Sequence, residues 1–306
     1  MADQQTIEAL AAEVLASPKY RHVSPGLVRD LAVRELAAHR SRKDAAKAVK
    51  NKLHQVAGAY FEARPDYDAW LGEIAAAAAR PGAEEQGPAA GDHERTAAPP
   101  EHTHGLALST QHSALAVACA EVMRRHASTR ERLPILGRFY AEVFAALPPV
   151  RSVLDLASGL NPLALPWMPL APGATYHACD LYADMAAFLE GFFQLAEVDG
   201  RAEVCDLIQG PPSAAADLAL ALKLLPVLEQ VDRAAPLRLL RAVQAPYILV
   251  SFPAQSLGGR GKGMAENYER RFRDLVGGEG WDVTMLSFPS ELAFLVDKRG
   301  AVAGEP

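Results

Sequence analysis

Along the first sixty residues, hydrophobic positions return at helical spacing. Ile7, Leu10, Ala11, Val14 and Leu15 form one stripe, the i, i+3, i+4, i+7 pattern of an amphipathic helix. Ser24-Pro25 reads as an N-cap followed by proline at the first helical position, where the missing N–H costs nothing. A third helix begins at Ser41, which with Asp44 makes the Ser-x-x-Asp form of a capping box. On it Ala46, Val49, Leu53, Val56 and Tyr60 compose the face for a core, whereas Lys43, Lys47, Lys50 and His54 line another.

Residues 75–105 lose this periodicity in a run of alanines followed by Pro, Gly, Glu and His, the composition of a linker or insertion. His102 and His104 form a His-x-His pair with no third ligand nearby, so a solvated loop is the expectation and no metal is assigned. Helical spacing resumes through Leu115 and Met123 and continues to Phe144, with a helix boundary at Ser128, where Ser128 and Glu131 suggest a second capping box.

After Pro149 the rhythm changes to short apolar runs separated by helical segments. The runs are 150–156, 174–179, 202–205, 217–222, 246–252, 281–288 and 291–296. Such alternation predicts a parallel sheet covered by helices. The last two runs are parted only by a turn at Pro289-Ser290, which demands antiparallel pairing. The expected fold is therefore α/β: a class I S-adenosylmethionine-dependent methyltransferase with a seven-stranded Rossmann-like sheet, preceded by an all-helical amino-terminal domain. The predicted layout is a helical domain over 1–78, a linker over 79–105, a helical segment over 106–148 contributing to the cofactor pocket, and the methyltransferase domain over 149–306.

Charge distribution sharpens this picture. The 306-residue chain has a net charge of −6, which excludes a globally basic nucleic-acid binder. Yet residues 17–61 carry ten Lys or Arg against three acids, and it is the placement of cations that tracks phosphates. Helix surfaces built for solubility interleave Glu with Lys; the Lys43, Lys47, Lys50 face has no such partners in its own helix. The three cysteines are far apart and set in apolar surroundings, as for reduced thiols. No cationic leader and no apolar run of about 20 residues is seen, so a cytoplasmic protein without membrane contact is expected.

The candidate chemistry gathers where the strands end. Val153-Leu-Asp-Leu-Ala-Ser-Gly-Leu-Asn-Pro162 carries one acid and one glycine instead of the Gly-x-Gly-x-x-Gly that holds a pyrophosphate. Gly159 would let the methionine part of S-adenosylmethionine lie against the turn, with Asp155 near its ammonium. Asp180 closes the second strand and suits the ribose hydroxyls; Asp206 follows the third and suits the adenine amino group. Leu207 and Leu222 would wall the adenine. The glycine-rich run Ser251–Met264 contains Arg260 and Lys262, cations suited to an RNA backbone beside the same sheet edge.

Assembled, these pieces resemble the aminoglycoside-resistance methyltransferases that modify N7 of a guanine in the decoding-site helix of 16S rRNA. The resemblance rests on Ser17-Pro-Lys-Tyr-Arg21, Lys52-Leu-His-Gln-Val56 with Gly58-Ala-Tyr60, His126-Ala-Ser-Thr-Arg-Glu-Arg132, Leu154–Leu165, Lys223-Leu-Leu-Pro226, and Ser251–Met264 with Asn267-Tyr268. Ser158 stands where the family has a cysteine, and the 75–105 stretch is longer than its usual connection. The resemblance implies S-adenosylmethionine as cofactor, 16S rRNA within the 30S subunit as partner, and resistance to kanamycin and gentamicin. It further implies a cofactor pocket of Tyr60, Phe61, His126, Ala127, Ser128, Arg132, Gly159, Asp180, Asp206, Leu207, Leu222 and Gln230. In that pocket Arg132 would grip the methionine carboxylate. RNA contacts fall to Lys43, Lys47, Lys50, Arg260, Lys262 and Met264. Guanine N7 bears no proton at neutral pH, so no catalytic acid or base is assigned. A methyltransferase acting on a neighbouring adenine, and a non-catalytic rRNA-binding protein, are the alternatives.

Overall fold

A computed structural model describes residues 3–56, 65–79, 110–254 and 264–300. Among the described residues seven α-helices precede the sheet: α1 Gln4–Leu15, α2 Pro25–Ala38, α3 Arg42–Val56, α4 Tyr67–Ala78, α5 Thr110–Met123, α6 Ala127–Arg132 and α7 Leu136–Ala145. There follow β1 Ser152–Leu156, β2 Thr175–Asp180, α8 Ala183–Leu195, β3 Asp199–Val204, β4 Leu218–Leu222, α9 Leu225–Val231, α10 Ala235–Ala242, β5 Tyr247–Pro253, α11 Met264–Val276, β6 Asp282–Ser287 and β7 Glu291–Asp297.

The strands form one sheet in the order β3-β2-β1-β4-β5-β7-β6. The first five are parallel, and β7 runs antiparallel between β5 and β6. The hairpin closes across Pro289-Ser290, where Phe288 and Glu291 exchange backbone hydrogen bonds. This is the expected class I order. Reversal of the strand sequence beside β1 opens a crevice at the carboxyl ends of β1 and β4, the place where doubly wound sheets take ligands.

Side chains alternate across the central strands, as a pleat requires. Leu154, Leu156, Ala219, Ala221, Ile248 and Val250 face one core, shared with α1–α3 and α9–α11. Val153, Leu218, Leu220 and Leu249 face the other, filled by α4, α5, α7 and α8. The amino-terminal helices thus divide: α1–α3 pack on one another and on one face of the sheet, while α4 packs on α5 and α8 on the opposite face.

Two predicted connectors are not α-helices. After β1 the chain makes a 3-10 segment, Asn161–Trp167, because Pro162 and Pro166 remove donors that an α-helix needs. Between β3 and β4, residues 205–217 hold no helix, and Gly210-Pro-Pro212 accounts for that. The Ser41 capping box forms as expected, with Asp44 N donating to Ser41 Oγ at 3.1 Å. The Ser128 box does not. His126 is the N-cap of α6, Ser128 Oγ sits 3.0 Å from His126 Nδ1, and Glu131 pairs with Lys223 Nζ at 2.6 Å. A local partner for Ser128 and a tertiary one for Glu131 replace the box. His102, His104, Tyr60 and the linker lie outside the described residues. Among the described residues no helix is long and apolar enough to cross a membrane.

Candidate active site

The turn after β1 is shaped by positive φ at Ala157 (51°) and Gly159 (52°), a region costly for any residue bearing a Cβ. Ser158 N donates to Cys179 O at 2.9 Å, and Gly159 N donates to Asp180 Oδ2 at 2.9 Å. A Cβ on Gly159 would stand 3.1 Å from His126 Cε1. Glycine is therefore needed twice, for the turn and for the imidazole lying against it.

Three strand ends converge on one cavity. Its lining includes Ala157, Asp180, Cys205, Asp206, Leu207 and Leu224, with further walls from α9 and α2. Asp180 Oδ1 accepts from Leu181 N at 2.7 Å; burial raises its pKa, and the N–H groups of Gly159, Leu181 and Tyr182 partly restore the charge. Asp206 Oδ1 accepts from Ile208 N at 3.0 Å. Its Oδ2 is buried without a hydrogen-bond partner. A buried acceptor left unpaired is costly, and an oxygen so placed in an apolar crevice is a ready seat for a donor such as an exocyclic amine.

Comparison with known proteins decides the family. Residues 102–295 match the family described as "Ribosomal RNA methyltransferase (FmrO)". A protein of Frankia casuarinae named 16S rRNA (guanine(1405)-N(7))-methyltransferase is 38% identical over 96% of this chain and 94% of its own length. A protein of the same name from Micromonospora echinospora is 33% identical over 97% and 98%. The chain belongs to the FmrO family of ribosomal RNA methyltransferases. Among solved structures, the 16S rRNA methyltransferase RmtF in complex with S-adenosyl-L-homocysteine superposes with a TM-score of 0.74 at 29% identity, covering 97% of this chain and 99% of that one. The 16S rRNA methylase RmtB gives 0.71 at 28% identity, covering 96% and 98%.

Beside the cavity, this family member holds a buried ionic network. Arg132 is 1% exposed and forks onto Glu291, with Nε to Oε2 at 2.9 Å and Nη2 to Oε1 at 2.7 Å. Its Nη1 donates to Asn161 Oδ1 at 2.8 Å. Burial opposes its charge, and Glu291, Tyr140 and Asp155 together outweigh it, so the guanidinium is held charged. The fork assigned from sequence to a ligand carboxylate is thus taken by a protein one. Arg132 reaches from α6 to the first residue of β7. Lys223, also at positive φ (57°), adds Nζ bonds to Glu131 and to Ser128 O at 3.1 Å. Asp155 lies outside the cavity lining. It is 1% exposed and accepts from Tyr176 Oη at 2.6 Å and Asn161 Nδ2 at 2.8 Å, and burial lifts its pKa to about 6.

Of the residues singled out from sequence, Asp180, Asp206 and Leu207 line the cavity. Gly159, His126, Ala127 and Ser128 gather at its β1 turn. Leu222 is half-buried and outside the lining, its expected place taken by Leu224. Gln230 is exposed on α9, which turns Val227, Leu228 and Val231 inward instead. Phe61, Arg260 and Lys262 lie outside the described residues, and Met264 is the first residue of α11. Asn161, Lys223 and Glu291 went unassigned. Their only signal was a polar residue set in an otherwise apolar run, with the partner out of sight.

His126 gives a test. Burial, with Lys223 and Arg132 nearby, lowers its pKa from 6.5 to about 3. Between those values the unfolded chain holds the extra proton, so this group's contribution to stability is present above 6.5 and lost as pH falls. Asp155 works oppositely, favouring the folded state below about 6. In His126→Gln the acid-side loss disappears. The stability advantage of the wild type over this variant should shrink by about 2–3 kcal/mol between pH 7 and 4.5 in urea unfolding; a pH-independent difference would show that the imidazole does not titrate on unfolding.

Proposed function

We infer that this chain transfers a methyl group from S-adenosyl-L-methionine to N7 of guanine 1405 of 16S rRNA, acting on the 30S subunit. The observation carrying the cofactor assignment is the unpaired Asp206 Oδ2, buried in an apolar cavity with Asp180 one strand away. The relatives' shared name supports the target base. The residues present fit the cofactor: Asp206 would accept from the adenine amino group, Asp180 from the ribose hydroxyls, and Leu207 and Leu224 would flank the ring.

The cofactor supplies an electrophilic methyl carbon on a sulfonium. Guanine N7 offers an in-plane lone pair and no proton, so no side chain has to remove one. The work left to this chain is positioning. Gly159 and His126 shape the turn, the Arg132–Glu291–Lys223 network fixes α6, β4 and β7 around it, and apolar walls exclude water. Duplex RNA hides its major-groove edge, so the base must be made accessible and the subunit read chiefly by shape. A methylated N7 places bulk and fixed positive charge in the drug-binding helix, which repels cationic aminoglycosides.

Incubation with labelled cofactor should methylate 30S subunits but poorly label naked 16S rRNA, and chemical cleavage at N7-methylguanine should map the product to position 1405. Modification of an adjacent adenine would overturn the assignment. Asp206→Asn replaces the free acceptor with a second donor facing the adenine amine. A hydrogen bond to a charged group is worth about 1.5–3 kcal/mol, so calorimetry should show S-adenosylhomocysteine binding weakened by roughly 10- to 100-fold.

A further inference from the structure

Helix α2 is tied to each wall of the cofactor cavity. At its amino end, Ser24 N donates to Leu181 O and Ala183 N to His22 O, both at 2.9 Å, and Val23 bridges Tyr182. The segment leaving Asp180 is thereby stitched to the chain entering α2. In the first turn Leu27, 1% exposed, enters the cavity lining. Asp30 then accepts from Gln209 Nε2, holding the segment that follows Asp206. In the last turns Arg34 Nη1 donates to Val231 O at 3.2 Å, at the carboxyl end of α9, whose Val227, Leu228 and Val231 form the remaining wall.

Leu27, Asp30 and Arg34 are spaced three and four apart and so share one face. Val28, Leu31 and Ala32 already bury a stripe in the core with α1 and α3. The Leu27 face is thus a second contact surface, spent on the three segments that surround one cavity. Asp30 and Arg34 also bias the Asp206 carboxyl in opposite directions.

We propose that α2 is a working wall of the cofactor site: Leu27 packs on the adenine, and Asp30 and Arg34 hold the flanking segments closed, so the helices that carry the basic face also set cofactor affinity. This rests on the S-adenosylmethionine reading above. Hydrogen exchange of the full chain, with and without S-adenosylhomocysteine, tests it directly. Amides of 25–34 should slow together with those of 181–183 and 206–209. In calorimetry, Leu27→Ala should weaken the same ligand by about tenfold, since a truncated apolar contact costs on the order of 1–2 kcal/mol. Should that variant fail to melt cooperatively, the exposed Arg34→Ala serves, with an expected loss of about threefold. Protection confined to 181–183 and 206–209, with a folded variant binding like wild type, would overturn the proposal while leaving the cofactor assignment standing. No heat and no protection anywhere would instead remove the cofactor assignment, and the proposal with it.

Discussion

Glu291→Ala should be the most damaging single substitution outside the hydrophobic core, lowering unfolding free energy by about 3–5 kcal/mol. Glu291 is fully buried at the first position of β7, and both its oxygens face the Arg132 guanidinium, with Lys223 Nζ 3.7 Å from Oε2. Removing it strands the Arg132 guanidinium where water cannot reach it, while Lys223 keeps its closer partner Glu131. The cost arises from that uncompensated charge, because a buried ion pair intact gains little over apolar packing. A paired replacement, Arg132→Met with Glu291→Leu, should therefore recover most of the stability lost in Glu291→Ala. Urea titrations of the three proteins, with a fall in Tm of roughly 10 °C for the single variant, provide the measurement. A double variant no better than the single would mean that packing, not stranded charge, sets the penalty.

Sequence legibility followed the physics of each element. Strands β1, β4, β5 and β7 were readable because they are buried on both faces and therefore written as continuous apolar runs. Strand β3 begins at Asp199, three residues before the predicted run, because it is an edge whose outer positions are polar. Only Gly200, over which Phe193 packs so closely that a Cβ would stand 2.4 Å from the ring, hints at its true start. The acids after β2 and β3 were found because their location at strand ends follows from topology. Asp155 fell one position short of the strand end, and the same logic placed it by a ligand when it serves the protein interior. Leu27 could not be distinguished from the core residues of α2, since a helix's periodicity records that a face is covered but not by what.

Reversing the charge of Lys43, Lys47 and Lys50 together should weaken 30S binding by about one to two orders of magnitude and leave S-adenosylhomocysteine affinity unchanged. The three line a groove on α3 with Arg42 and Asn51, and Glu13 of α1 closes one side. Glu13 pairs with Arg42 at 3.0 Å and lies 3.9 Å from Lys50, whereas Lys43 and Lys47 have no acid partner among the described residues. An unneutralised pair beside a partly neutralised one is an arrangement suited to phosphates, whose condensed counterions are released on contact. Each lost phosphate contact lowers the slope of log affinity against log salt by about one. A slope reduced by two to three units, with the cofactor isotherm superimposed on wild type, would assign the groove to the ribosomal backbone. An unchanged slope would mean that the subunit is held elsewhere, and that these lysines only solvate the outer face of a helix.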